Sequence, residues 1–382
     1  MDENEKKILR ERKILHKLLD DDDVHGTFFK TTTNNIAEEK KDSFKDIYLD
    51  SLFIISKLYI NDNLNERFVA YYTQKIVAQE MLFNNSHFRL NAIDYSNDPT
   101  EGKTFLDYLF GKNNYLQRKI TNTGHGAFAG CFTFNYDSLN QFRLYGKEDG
   151  KEGTGLSLIF IPSFFSKGEK IPNIYIVRKS SFFNENKPLQ NEVFERNRCA
   201  LFRCIYIDPE TRQVETVGQK DTYLFFHDKN IEKEIHDVED KIVQYQEFIA
   251  NIIKVIKKEM EKLKKDIKEL DLDEDEKVVV GQLLINLRYL IKHVAFKEEQ
   301  ECRIIKIHPL NDKEKIHIDP NSNSEEVKIT DSTKMYIKYQ PVHEYVEKIY
   351  FGPKAKGMEL FQDFLNRENK EIPCVTSTNP LA

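Results

Sequence analysis

Glu299, Glu301 and Arg303 stand at alternate positions, after Lys292-His293 and before the apolar run Ile304-Ile305-Lys306-Ile307. Side chains alternate along a strand, so these three share one face. Two neighbouring carboxylates repel each other; one then keeps a proton while the guanidinium restrains the other as an anion. Such a pair suits acid–base chemistry or the stabilisation of a developing cation. A surface ladder of ion pairs with no chemistry has the same pattern.

A second cluster follows CFTFN, where Arg143 and Tyr145 precede Gly146. That spacing offers a phosphate clamp beside a stacking ring, or an Arg–Tyr pair that closes a helix end. The glycine-rich GKEDGKEGTG at 146–155 matches neither the dinucleotide nor the P-loop pattern. A third cluster joins Tyr71-Tyr72-Thr73 to Asn97-Asp98-Pro99-Thr100-Glu101, where Asp98 suits a helix cap and Pro99 a first helical position. His125 lacks a nucleophile partner, and the 10 histidines show no HExxH-like spacing, so no metal is expected.

The frame that must hold these groups is an ordered one. The 382 residues are 40% hydrophobic and 12% aromatic with 15 Gly and 11 Pro, enough chain for about two or three domains. A net charge of -6 and the lack of a basic stripe argue against nucleic acid as partner. Cys131, Cys199, Cys204, Cys302 and Cys374 form an odd set without a CxxC pair, which predicts reduced thiols. The charged start MDENEKKILRERK and the absence of a long apolar run predict a cytoplasmic protein that stays off the membrane, or an effector exported without a cleavable signal.

Helices are expected over Glu5 to Leu19, over Asp42 to Tyr59 with Phe44, Tyr48, Leu52, Ile55 and Tyr59 on one face, and over Lys103 to Phe110. A stripe from Ile231 through Val238, Tyr245, Ile249, Ile256, Met260 and Leu263 to Leu270 predicts a long amphipathic helix. Val278 to Val294 would then return as the second limb of an antiparallel helical hairpin. Strands are expected at Glu301 to His308 and Met335 to Tyr339, and a helix at Met358 to Leu365. Strands and helices are segregated rather than alternating, which predicts an α+β fold with a mixed, mainly antiparallel sheet. The expected divisions are an N-terminal helical segment at 1–65, a core at 66–227, the hairpin insertion at 228–295 and the rest of the core at 296–382.

The succession VAYYT, FRLNAIDYSNDPTEG, AGCFTFNYDSLNQFRLYG with GTGLSLIF, KHVAFKEEQECRIIKI and VEKIYFGPKA resembles the bacterial domain-of-unknown-function family numbered 2971, over residues 66–382. Tyr71 stands where that family usually has His, Cys131 and Thr133 where it has serines, and Phe142 and Phe296 where it has tryptophans. Its frequent neighbours, tetratricopeptide repeats, imply a protein partner for the N-terminal helices. The arrangement is also similar to the ADP-ribosyltransferase fold, where early and middle strands grip NAD and a late-strand Glu stabilises the oxocarbenium ion. That resemblance implies Tyr72 and Thr73 in the early place, Cys131 to Thr133 in the middle one, and Glu299 or Glu301 in the late one.

Two functions follow as expectations. The first is an NAD-cleaving ADP-ribosyltransferase or glycohydrolase acting as a bacterial effector or phage-defence toxin. In it Glu301 is the catalytic carboxylate and Glu299 its helper, Arg143 and Arg303 neutralise the pyrophosphate, and Tyr145 stacks on a ring. Asp98, Glu101, Thr133, Lys292 and His293 complete the substrate-binding candidates, with NAD as substrate. The second is a non-enzymatic nucleotide- or protein-binding module that uses the hairpin for a partner or for homodimerisation.

Overall fold

The computed structural model describes residues 3–19, 23–61, 66–93, 100–112, 114–121, 124–167, 170–171, 173–174, 176–179, 191–194, 199–222, 224, 235–319 and 333–380. Asp98 and Pro99 of the expected cap, and the start of the long stripe at Ile231, lie outside them.

The helices are α1 (Glu3–His16), α2 (Val24–Thr32), α3 (Glu38–Leu58), α4 (Lys75–Phe83), α5 (Lys103–Phe110), α6 (Asn114–Thr121), α7 (Leu139–Leu144), α8 (Ile235–Glu269), α9 (Glu274–Leu283), α10 (Ile285–Arg288) and α11 (Met358–Arg367). The strands are β1 (Val69–Thr73), β2 (His87–Ala92), β3 (His125–Thr133), β4 (Leu156–Phe160), β5 (Asn173–Ile174), β6 (Ile176–Lys179), β7 (Asn191–Phe194), β8 (Phe202–Arg203), β9 (Ile205–Asp208), β10 (Gln213–Val217), β11 (Ile291–His293), β12 (Glu301–Pro309), β13 (Ile316–Asp319), β14 (Lys334–Pro341), β15 (Val346–Phe351) and β16 (Cys374–Thr376). Together they make an α+β fold.

Its main sheet runs β13-β14-β2-β3-β1-β4-β15-β16, with β12 on the other edge of β3 and β5 and β8 beyond it. The pairings are antiparallel except β12 with β5 and β15 with β16. Strand β12 pairs with β3 along its full length, from Glu301 opposite Thr133 to Pro309 opposite His125. The other edge of β3 is shared: β2 takes Phe128 and Ala129, and β1 takes Thr133. A second sheet, β10-β9-β11, stands beside it, with β11 parallel to β9.

Alternation along β3 and β12 makes two faces. Phe128, Phe132, Cys302 and Ile304 join a core with Phe88, Leu158 and Phe160, closed by Leu82 of α4 and Phe361 and Leu365 of α11. Ala127, Ala129, Ile305 and Ile307 face a separate core built from α1 to α3 and α8 to α10. Helix α3 forms as its spacing predicts, with Phe44, Tyr48, Leu52 and Ile55 fully buried. The first helix also finds its partner inside the chain. Arg12 of α1 pairs with Asp50 of α3 and lies 2.7 Å from Glu259 of α8, and Lys262 of α8 holds the other oxygen of Asp50 at 2.5 Å.

The long helix is present, but its apolar stripe from Val238 to Ile267 is buried against α3. The predicted second limb, Val278 to Val294, is not one helix. It divides into α9, capped by Asp273 through a box with Glu276, then α10 and then β11. Ile291 and Ile205 pair in the parallel register of β11 with β9, so a β-branched apolar stretch that fits a buried helix is used as a strand. A fully buried ion pair, Arg203 of β8 with Glu66, ties the segment before β1 to the far edge of β12. Among the described residues no helix is long and apolar enough to cross a membrane.

Candidate functional site

The helical layer covers the sheet face at Ala127, Ala129, Ile305 and Ile307 and leaves the same face open at Cys131. Polar residues begin there. Register sets Cys131 opposite Arg303 and Thr133 opposite Glu301 on that face. Lys292 arrives from β11, Glu101 from the turn before α5, and Tyr145 from the end of α7.

Lys292 is the hub. Its ammonium donates to Oε2 of Glu299 and to Oε2 of Glu301. Arg303 donates through Nε to Oε1 of Glu301, through one terminal nitrogen to the Tyr289 carbonyl at 2.9 Å, and through the other to Glu101. The Tyr145 hydroxyl donates to Oε1 of Glu299 at 3.0 Å. Lys292, Glu299, Glu301 and Arg303 are buried, whereas Tyr145 is 41% exposed and is the member of this set that meets solvent.

Glu299 is not on the strand, as the alternation predicts. It ends the 3-10 turn Val294–Glu299, and Gln300 follows in the left-handed region at φ 46°. That conformation costs a non-glycine residue about 1–2 kcal/mol. The Gln300 side chain offsets it by accepting from the Gln219 amide at 2.9 Å and donating to the Lys297 carbonyl at 2.9 Å. Both carboxylates thereby face Lys292. Gly102 fixes Glu101 in a comparable way: its φ is +71°, and a Cβ there would stand 2.6 Å from Nε of Arg288.

The environment separates the two carboxylates. Burial works to raise Glu301, but Arg303 and then Lys292 hold it well below the usual carboxylate range. Burial raises Glu299 above that range; Lys292 opposes the rise and the charge of Glu301 adds to it. Glu101, Glu299 and Glu301 are paired with Lys292 and Arg303, and the buried Arg288 stands beside Glu101, donating to the Gly102 carbonyl at 3.1 Å.

Cys131 is exposed on the floor of this open face. Desolvation of the thiol against the sheet pushes it well up, and Glu301 pushes it further. Glu301→Gln is therefore expected to speed alkylation of Cys131 at fixed pH, read by peptide mass spectrometry. An unchanged rate in a folded variant would mean that the carboxylate does not act on the thiol.

The remaining candidates divide. Thr133 donates to the Glu299 carbonyl at 2.6 Å and Gln141 does so at 3.3 Å, so both position the turn. Tyr72 is committed to the chain, donating to the Asn135 carbonyl at 3.0 Å and accepting from the Ser138 amide at 2.8 Å. Thr73 is buried on the opposite side of β1 from Tyr72. His293 caps the 3-10 turn, its Nδ1 accepting from the Ala295 amide at 3.0 Å. Arg143 lies outside the cluster, 3.8 Å from Glu152.

Sequence reasoning missed Tyr206, whose hydroxyl accepts from the Glu301 amide at 2.8 Å, and the positioning role of Gln141. Neither carries a local signal: Tyr206 reaches the site from strand β9 and Gln141 from helix α7, and only the tertiary fold brings them there. Among the described residues no group of His, Cys, Asp and Glu is placed to hold a metal ion. No family model, no curated protein and no solved structure matches the chain.

Proposed function

We propose that the chain cleaves the nicotinamide–ribose bond of NAD at this cluster, as a glycohydrolase or an ADP-ribosyltransferase. One observation carries the reading: three carboxylates are ion-paired to Lys292 and Arg303, and the one whose proton affinity is raised, Glu299, is tied to the exposed Tyr145. In this reaction the C1′–N bond breaks and its electron pair leaves with neutral nicotinamide. An oxocarbenium ion develops at the ribose. With Glu299 ionised, its carboxylate faces that cation. Glu299 then takes the proton of the attacking water or target hydroxyl, for which its raised affinity for a proton suits it. Glu301, held by Arg303 and Lys292, fixes Lys292 and sets the basicity of Glu299. The roles expected from the sequence are thereby exchanged: Glu299 reacts and Glu301 supports. The ADP-ribosyltransferase-like reading of the fold gains support from the adjacency of β1, β3 and β12, which carry its early, middle and late positions.

A second reading is favoured by the complete pairing of Glu301, which a non-enzymatic nucleotide- or protein-binding module would also display. Nicotinamide release from NAD separates the two. The purified protein, alone or with cell lysate, is expected to release it, and dependence on lysate would mark transfer to a target. No release in either condition would favour the binding module.

A further inference from the structure

The open sheet face extends from Cys131 across β2, β14 and β13, away from the carboxylates. Asn91 pairs with Ala129, so extending that register by two residues sets Arg89 level with Cys131. Cys131 is in turn opposite Arg303, and Arg89 is opposite Lys338. Lys338, Arg89, Cys131 and Arg303 thus form one row on one face of four neighbouring strands. Arg89, Lys338 and Cys131 are exposed.

The guanidinium of Arg89 is held in place. It lies 4.4 Å from the centre of the Tyr336 ring, and one of its nitrogens donates to Asp319 at 2.6 Å. Tyr336 is itself buried and braced by the His317 ring at 5.3 Å. A guanidinium has five donors, so this seating leaves a preorganised fork for an oxyanion. The Tyr336 ring sets His317 and Arg89 side by side with Lys338 opposite Arg89, and burial, then Lys338 and Arg89, lower the His317 imidazole. Asp319 is the single carboxylate paired there among the described residues, and an arriving anion competes with it.

We propose that Arg89 and Lys338, with His317 beside them, form a subsite for the diphosphate of a nucleotide whose ribose extends over Cys131 toward Glu299. The Arg89 guanidinium rests over Tyr336 of β14 and on Asp319 of β13, three to four strand spacings, about 14–19 Å, from β12. From Tyr336 to Cys131 on β3 is two of those spacings, about 10 Å, which a diphosphate and a ribose span. Positive charge on the floor matches the phosphates, and the subsite is continuous with the carboxylate cluster. Only the direction in which the ribose points rests on the NAD-cleaving reading; anion capture rests on Arg89, Lys338 and His317.

The test is calorimetric titration of the full chain with ADP, with adenosine as the control. ADP has no nicotinamide to lose, so the result is independent of whether the chain cleaves NAD. Wild type is expected to bind ADP at least tenfold more tightly than adenosine. Arg89→Met is expected to lose at least tenfold in ADP affinity, and Arg89→Lys less, because it keeps the charge and loses the fork. Asp319→Asn is expected to tighten ADP binding by removing the competing carboxylate. Arg89 is 44% exposed at its side chain, and circular dichroism checks that the variants fold. The proposal is overturned if wild type fails to bind ADP, or if folded Arg89→Met and Lys338→Met both bind it as wild type does.

Discussion

Glu299→Gln is expected to lower the rate of nicotinamide release by about 10²–10⁴-fold, the range for loss of a positioned general base. That corresponds to about 3–5 kcal/mol of barrier. Glutamine keeps the shape of the side chain and, with its carbonyl oxygen toward Lys292, still accepts from the ammonium, while its NH2 meets the Tyr145 hydroxyl, which then accepts. Glutamine cannot take up a proton. It also removes the negative charge of Glu299 from the face toward the ribose. The loss should therefore fall on kcat with KM little changed, as for an interaction made in the transition state. Steady-state kinetics on folded protein checks it, and a variant as active as wild type would remove Glu299 from the chemistry.

Lys292→Met is expected to destabilise the fold by about 3–5 kcal/mol near neutral pH, the usual cost of removing one partner from a buried ionic group. Arg303 still restrains Glu301, so the orphan is Glu299. Its carboxyl is already raised above the usual range, and without Lys292 it rises further. A raised carboxyl stabilises the native state below its unfolded value, and that contribution is lost as pH increases through the folded value. The variant should accordingly be least impaired in acid, where Glu299 carries its proton, and most impaired at neutral pH and above. Chemical denaturation at several pH values measures this. The double variant Lys292→Met with Glu299→Gln should recover much of the stability, since it removes the orphaned charge. Equal destabilisation at every pH would show that packing rather than charge is lost.

Much of the frame was legible because burial writes a period into the residues. Phe44, Tyr48, Leu52 and Ile55 mark α3, and the stripe from Val238 to Ile267 marks α8. A period names a buried face without naming what covers it. The α8 stripe therefore predicted a returning helical limb where the fold supplies α3. Val278 to Val294 is apolar enough for either a helix or strands, and only its neighbours β9 and α3 decide. At the site, Glu299, Glu301 and Arg303 do come together, but not through the continuous strand that their alternation predicts. A 3-10 turn and a left-handed Gln300, not a continuous strand, aim the first carboxylate. Tyr206 and Arg89 were not legible, because each acts through pairing with strands distant in sequence.

The pH dependence of nicotinamide release tests the central claim most directly. If Glu299 is the base, the rate rises with pH through a single limb placed above the ordinary carboxylate range. Tyr145→Phe removes a hydrogen bond that favours the ionised form, so its limb should move to higher pH. Glu301→Gln removes the neighbouring anion, so its limb should move to lower pH. Opposite displacements in these two variants are the predicted result. A profile that both variants leave in place, or no release at any pH, would contradict the assignment of this chemistry to Glu299.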